Sequence, residues 1–328
     1  MSELHKFVFE GLPVRGAMVR LTDAWQDMLA ARSQAGGYPA PVTEMLGQMC
    51  AAAVLMQSNI KFNGALVFQV SGDGPVPLAV AEVQPDFRVR ATATVRGDVP
   101  ESAQLNQLVN VHGQGRCAIT LDPKDRLPGQ QPYQGVVPLS SDADQPFERV
   151  SDALEYYMRQ SEQLDTCLVL AANAERAVGL LIQRMPLTGQ DNLAQQSAVT
   201  DEGDAQGGSE DFARIAMLTR SMTAEELLSL DAETVLHRLF WDEPIAHLMP
   251  TTGLIKPRFS CTCSRERVGN MLRNLGVEEV ESIIAEQGSV SVGCEFCGAQ
   301  YGFDAVDAAA LFVPHAHNPA PEGDSPLQ

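Results

Sequence analysis

Two close pairs of cysteines constrain this 328-residue chain more than any other feature: Cys261-Thr262-Cys263 and Cys294-Glu295-Phe296-Cys297, separated by a helix-sized stretch without a further cysteine. A tetrahedral Zn²⁺ ion takes four ligands, and a Cys-X-X-Cys turn offers two sulfurs from one tight loop, so the two pairs supply a complete set. Four thiolates leave no open coordination position, which makes the predicted one-ion centre structural rather than hydrolytic. Around the second pair, Gly288 and Gly293 flank an alternating Ser289-Val290-Ser291-Val292 strand, and Gly298 follows Cys297. The pattern predicts a knuckle on a hairpin, with Gly298 in the left-handed turn that points backbone N–H groups at sulfur.

Other cysteine chemistries fit less well. A thioredoxin-like pair opens a helix after a buried strand, whereas Gly298-Ala299-Gln300-Tyr301-Gly302-Phe303 is a poor helix start, and haem attachment would need His in place of Gly298. A permanent disulfide framework is disfavoured because Met1 to Leu21 carries no signal-peptide pattern and the remaining cysteines are scattered. A thiol-disulfide oxidoreductase built on Cys294 and Cys297 stays open as the alternative, to be separated by turnover of a disulfide substrate. Cys50, Cys117 and Cys167 lie in apolar contexts, one helix and two strands, and read as buried small hydrophobes.

With 45% apolar residues the chain can bury a substantial core and divides more naturally into two domains than one. No apolar run approaches the ~20 residues of a membrane span, and the expectation is a soluble cytoplasmic protein with no membrane partner. Forty-two acidic against 23 basic residues give a net charge of −19, which repels a phosphate backbone and argues against nucleic acid as a partner. Arg265, Arg267 and Arg273 are interleaved with or followed by acids and read as a solvated helix face.

Periodicity predicts an α+β fold whose N-terminal domain, 1–186, is a largely antiparallel sheet with packed helices. Helices are predicted over 23–33, 42–57 and 147–160, and strands over 65–70, 77–83, 87–95, 116–121, 133–139, 166–171 and 177–185. Strands in series without intervening helices favour antiparallel pairing. Gly72-Asp73-Gly74 is a turn rather than a phosphate loop, because no Gly-Lys-Ser/Thr ending follows. His5 and His112 fall in expected loops and carry no catalytic pattern, and no catalytic residue is assigned. Residues 187–210 read as a flexible acidic linker. A helical middle segment follows within 187–255, with helices over 211–221, 224–229 and 232–240, the second announced by a Thr223-X-X-Glu226 capping box. Its apolar side chains, Phe212, Ile215, Leu227, Leu236, Leu239 and Phe240 among them, must dock on something. Either they fold permanently onto the N-terminal sheet or their docking depends on the cysteine module, 256–313. The tail, 314–328, reads as disordered, which removes His315 and His317 as ligands.

The paired cysteines, with Ser264-Arg265-Glu266-Arg267 after the first and Gly298 after the second, resemble the redox-regulated thirty-three-kilodalton heat-shock chaperone family of bacteria. The likeness extends to Phe7–Gly16, Gly72-Asp73-Gly74-Pro75, Tyr133-Gln134-Gly135-Val136-Val137, Tyr156 to Leu164 and Glu225-Glu226-Leu227-Leu228. The resemblance implies a non-enzymatic, ATP-independent holdase for unfolding client proteins, inactive while reduced and zinc-bound. It implies that oxidants pair Cys261 with Cys263 and Cys294 with Cys297, that zinc is released, and that the C-terminal module and middle segment unfold. It further implies a homodimer when oxidised and transfer of clients to a downstream foldase chaperone system.

Overall fold

The helix Ala40–Asn59 has no polar face: Val42, Met45, Leu46, Met49, Cys50 and Val54 are buried all round its axis. A helix of that kind needs cover on every side, and two sheets supply it. A computed structural model describes residues 1–33, 35–126, 129–185, 202–248 and 255–313. Within them the elements run β1 (Glu3–Phe9), β2 (Val14–Leu21), α1 (Asp23–Ser33), α2 (Ala40–Asn59), β3 (Gly64–Ser71), β4 (Leu78–Val83), β5 (Arg88–Thr94), α3 (Leu105–Val109), β6 (Arg116–Pro123), β7 (Tyr133–Pro138), α4 (Val150–Ser161), β8 (Thr166–Ala172) and β9 (Ala177–Arg184). Then come α5 (Glu202–Arg220), α6 (Ala224–Ser229), α7 (Ala232–Phe240), β10 (Ile245–His247), β11 (Arg258–Phe259), α8 (Arg265–Leu275), α9 (Val277–Gln287), β12 (Val290–Gly293), β13 (Gln300–Phe303) and α10 (Ala305–Phe312).

The first sheet has the order β10-β1-β2-β9-β8 and the second β11-β5-β4-β3-β6-β7. Every pair is antiparallel except β11 with β5, so the α+β class read from the sequence holds. Helix α2 packs against strands of both sheets. Its last carbonyls, Ser58 and Asn59, accept hydrogen bonds from Lys6 and Arg15, cations at the negative end of the helix. The turn at Gly72-Asp73-Gly74 abuts α3, where a Cβ on Gly72 would lie 2.0 Å from the Val109 carbonyl oxygen. The Asp73 carboxylate accepts the His112 N–H at 3.1 Å, which makes the segment a turn support and no phosphate cradle.

Several elements differ from expectation. Strands β1, β2, β10 and β11 and helix α3 were not predicted, and His5, expected in a loop, stands on β1 with its Nε2 3.3 Å from Glu3. Helix α5 begins at Glu202, inside the stretch read as linker. Residues 187–201 and the tail 314–328, with His315 and His317, lie outside the described residues.

The middle helices dock on the first sheet, away from α2. Phe7, Phe9, Met18, Leu180 and Ile182 of that sheet form one cluster with Ile215, Leu227, Leu236 and Phe240. The Phe9 and Phe240 rings meet edge to face with centroids 5.0 Å apart, a favourable quadrupolar arrangement. Arg20 on β2, 9% exposed, donates to the Leu227, Leu228 and Leu230 carbonyls at the end of α6. Arg176 adds a bond to Leu228 at 3.0 Å. The capping box on α6 is present as predicted: the Thr223 hydroxyl accepts the Glu226 N–H, and the Glu226 carboxylate accepts the Thr223 N–H.

Among the described residues two compact units are distinguished: Met1–Cys261 together with Glu295–Cys297, and Thr262–Cys294 together with 298–313. In the second, α8, α9 and α10 close a small core of Leu272, Val280, Val290, Phe303 and Ala308. The arginines read as a solvated face have structural partners there. Arg265 pairs with Asp307 at 2.7 Å and stacks 4.3 Å from the Phe303 ring, and Arg273 donates to the Leu311 carbonyl at 2.8 Å. Among the described residues no helix is long and apolar enough to cross a membrane.

Candidate metal centre

The second cysteine pair sits where two short strands would otherwise meet in an ordinary hairpin. β12 pairs with β13 from Val290↔Phe303 to Gly293↔Gln300. Beyond the last rung, the Cys294 N–H donates to Ala299 O and the Gly298 N–H to Cys294 O, both at 2.8 Å. Gly298 has φ 73°, the left-handed value anticipated from its place after Cys297, which an L side chain adopts only with strain. The pair therefore projects from a knuckle and does not open a helix, unlike the pair of a thioredoxin-like site. The first pair leads directly into α8. Ser264 caps that helix by accepting the Arg267 N–H at 3.2 Å, and Arg267 reaches back to the Thr262 carbonyl at 3.0 Å.

The fold brings the four cysteines together. The sulfurs of Cys261, Cys263, Cys294 and Cys297 all lie within 4.8 Å of one another, each half-buried. A tetrahedral ion held by thiolates at about 2.3 Å places its sulfurs about 3.8 Å apart, so the set has the donor chemistry and nearly the span to hold a metal ion. Tyr301, two residues into β13 from the knuckle, donates its hydroxyl to Cys263 Sγ at 3.1 Å.

The knuckle residues between the cysteines also have partners. The Glu295 carbonyl accepts the Thr92 hydroxyl at 2.6 Å and Arg32 Nη1 at 3.3 Å. The Phe296 ring lies under the Arg90 guanidinium, 4.1 Å from Cζ, and Arg90 Nη2 contacts Glu82 at 2.6 Å. Burial disfavours the charge on Arg90, but the Glu82 hydrogen bond and charge, with a further contribution from Cys261, raise its pKa overall. Sequence reasoning did not find Arg32, Arg90, Thr92 or Tyr301. Tyr301 could have been read from the hairpin register; the other three come from distant segments and leave no local signal.

The remaining cysteines are fully buried, as expected of small hydrophobes. Burial pushes the Cys117 and Cys167 thiols up to about 12 and raises Cys50 further, which keeps all three protonated and poorly reactive.

Comparison with known proteins agrees with this arrangement. The family model described as "Hsp33 protein" matches residues 2–304. The 33 kDa chaperonin of Chromobacterium violaceum is 43% identical over 311 residues, covering 95% of this chain and 94% of its own. That of Shewanella woodyi is 39% identical over 321 residues, 98% of each chain. The crystal structure of the 33 kDa chaperonin from Thermotoga maritima shares the fold with a TM-score of 0.69 at 20% identity, over 94% of this chain and 97% of the other. A match spanning the sheet domain, the middle helices and both cysteine pairs makes this chain a member of the Hsp33 family.

Proposed function

We propose that this chain is an ATP-independent holdase for unfolding proteins, gated by the redox state of Cys261, Cys263, Cys294 and Cys297. The observation that carries the reading is the convergence of four sulfurs within 4.8 Å, contributed by two short pairs remote from each other in sequence. Zinc is the ion that best suits an all-thiolate set, and when bound it supplies a long-range cross-link.

Among the described residues the second unit has a core of only five buried apolar side chains. A structural metal supplies an apparent ~10–16 kcal/mol in small modules, far more than such a core provides. Oxidation converts the tie into local ones. Cys261 with Cys263, and Cys294 with Cys297, each lose two electrons as a disulfide forms; one peroxide per disulfide, two in all, accepts the two electrons of its pair and, with two protons, becomes two waters. Each new ring spans only three or four residues and cannot replace a cross-link between the two pairs. With all four sulfurs in disulfides, the set would no longer offer thiolates to hold an ion; the module unfolds, and α5–α7 undock from Phe7, Phe9, Met18, Leu180 and Ile182. That apolar sheet face and the freed helices bind exposed segments of clients. The oxidised form acts as a homodimer in the cytoplasm and hands clients to a foldase chaperone system. No enzymatic turnover is required.

The test is light scattering by a thermally unfolding client mixed with reduced, zinc-loaded protein or with peroxide-treated protein. Protection by the oxidised form alone supports the proposal; equal protection by both forms contradicts the gating.

A further inference from the structure

We infer that Arg90 is a positioning residue for the thiolate centre, holding the Cys294–Cys297 knuckle in register so that the metal is retained. The inference rests on the metal-centre reading above and adds a determinant from the N-terminal sheet. Arg90 lies on β5, far from every cysteine of the centre in sequence. Its guanidinium is fixed from one side by Glu82 at 2.6 Å and covers the Phe296 ring at 4.1 Å on the other. A side chain of the N-terminal sheet thus meets a residue enclosed by the second cysteine pair.

The grip has a second point. Thr92, two residues along the same strand and therefore on the same face, donates to the Glu295 carbonyl at 2.6 Å, and its Oγ1 lies 3.2 Å from the Tyr38 hydroxyl. Both residues between Cys294 and Cys297 are consequently seated on β5, the backbone through Thr92 and the ring through Arg90. Four thiolates around a divalent ion carry a net charge of −2, which a neighbouring guanidinium offsets. Partners just outside the ligands typically change metal affinity by about 10- to 100-fold when removed. The stack requires a planar cation, so lysine retains the charge without the fit over the ring.

The experiment uses the full, reduced, zinc-loaded chain and follows zinc transfer to the chromogenic chelator 4-(2-pyridylazo)resorcinol for wild type, Arg90→Ala, Arg90→Lys and Phe296→Leu. Zinc content is measured beforehand, and thermal unfolding by circular dichroism confirms an intact N-terminal sheet. Arg90→Ala is expected to release zinc at least about tenfold faster, Phe296→Leu to do likewise, and Arg90→Lys to recover part of the loss. The double variant Arg90→Ala/Phe296→Leu should be no faster than the faster single variant, because both remove one contact. Phe296 lies outside the buried cores, so its variant keeps the test decisive if Arg90→Ala fails to fold. Wild-type release rates in folded, zinc-loaded Arg90→Ala and Phe296→Leu overturn the inference. A wild-type chain that retains no zinc refutes the metal reading itself.

Discussion

Replacing Phe240 by alanine should open the middle segment without unfolding the rest of the domain. Phe240 is 2% exposed and contacts Phe9 at 5.0 Å and Phe7 at 6.3 Å between ring centroids. Truncating a buried phenylalanine costs about 3–5 kcal/mol. Because the side chain bridges α7 and the sheet, most of that cost falls on docking. At about 1.36 kcal/mol per factor of ten, the open population rises by roughly 10²-fold or more. Cys167 reports it, since its sulfur is fully buried under α5, 3.7 Å from the Ala216 carbonyl. Labelling of Cys167 with a maleimide, followed peptide by peptide in a mass spectrometer, should accelerate by that factor until docking is lost. Cys50 and Cys117, in the separate core around α2, should keep their wild-type rates. An unchanged Cys167 rate, or equal acceleration of all three thiols, would refute the claim that the middle helices form a separately releasable layer.

Cys297→Ser should abolish tight metal binding and unfold the second unit while β1–β9 remain, seen as loss of the hairpin amide signals of β12 and β13 in a two-dimensional NMR spectrum. Gly298→Ala places a Cβ at φ 73°, a strain of about 1–2 kcal/mol, and should weaken metal affinity by roughly 5- to 30-fold in a competition titration. Alkali should destabilise the N-terminal domain. The Cys117 and Cys167 thiols are raised from an ordinary value near 9 to about 12, so their contribution is complete below pH 9 and is lost between pH 9 and 12, as the unfolded chain releases those protons first. Urea unfolding at pH 8, 9 and 10 should show stability falling above pH 9 by up to about 1.4 kcal/mol per pH unit for each thiol, with a shallower slope for Cys117→Ala.

The parts legible in the sequence were those with a local period or a local chemical demand. Helix α1 falls on the predicted 23–33, the seven predicted strands each have a counterpart, and Gly298 takes the conformation that its place after Cys297 requires. β2 was missed because both faces are covered, by α2 and by the middle helices, so Val14 to Leu21 is buried almost without alternation. β1 carries His5 and Lys6 amid its apolar residues, which hides its period. Two-residue β11 and five-residue α3 are too short to show one. The start of α5, Glu202-Gly203-Asp204, has the composition of a linker. The two cysteine pairs could be recognised from spacing alone, but Arg90 and Thr92 reach the knuckle only through the pairing of β5 within the second sheet.

The proposed gating requires that metal release and exposure of the apolar sheet face and middle helices be one event. The most direct measurement records zinc release by absorbance and client light scattering in the same sample, at elevated temperature, from the moment peroxide is added to reduced protein. Protection is expected to rise with zinc release and to be absent before it. Complete zinc release with no gain in protection, or full protection while the metal is still bound, would contradict the gating.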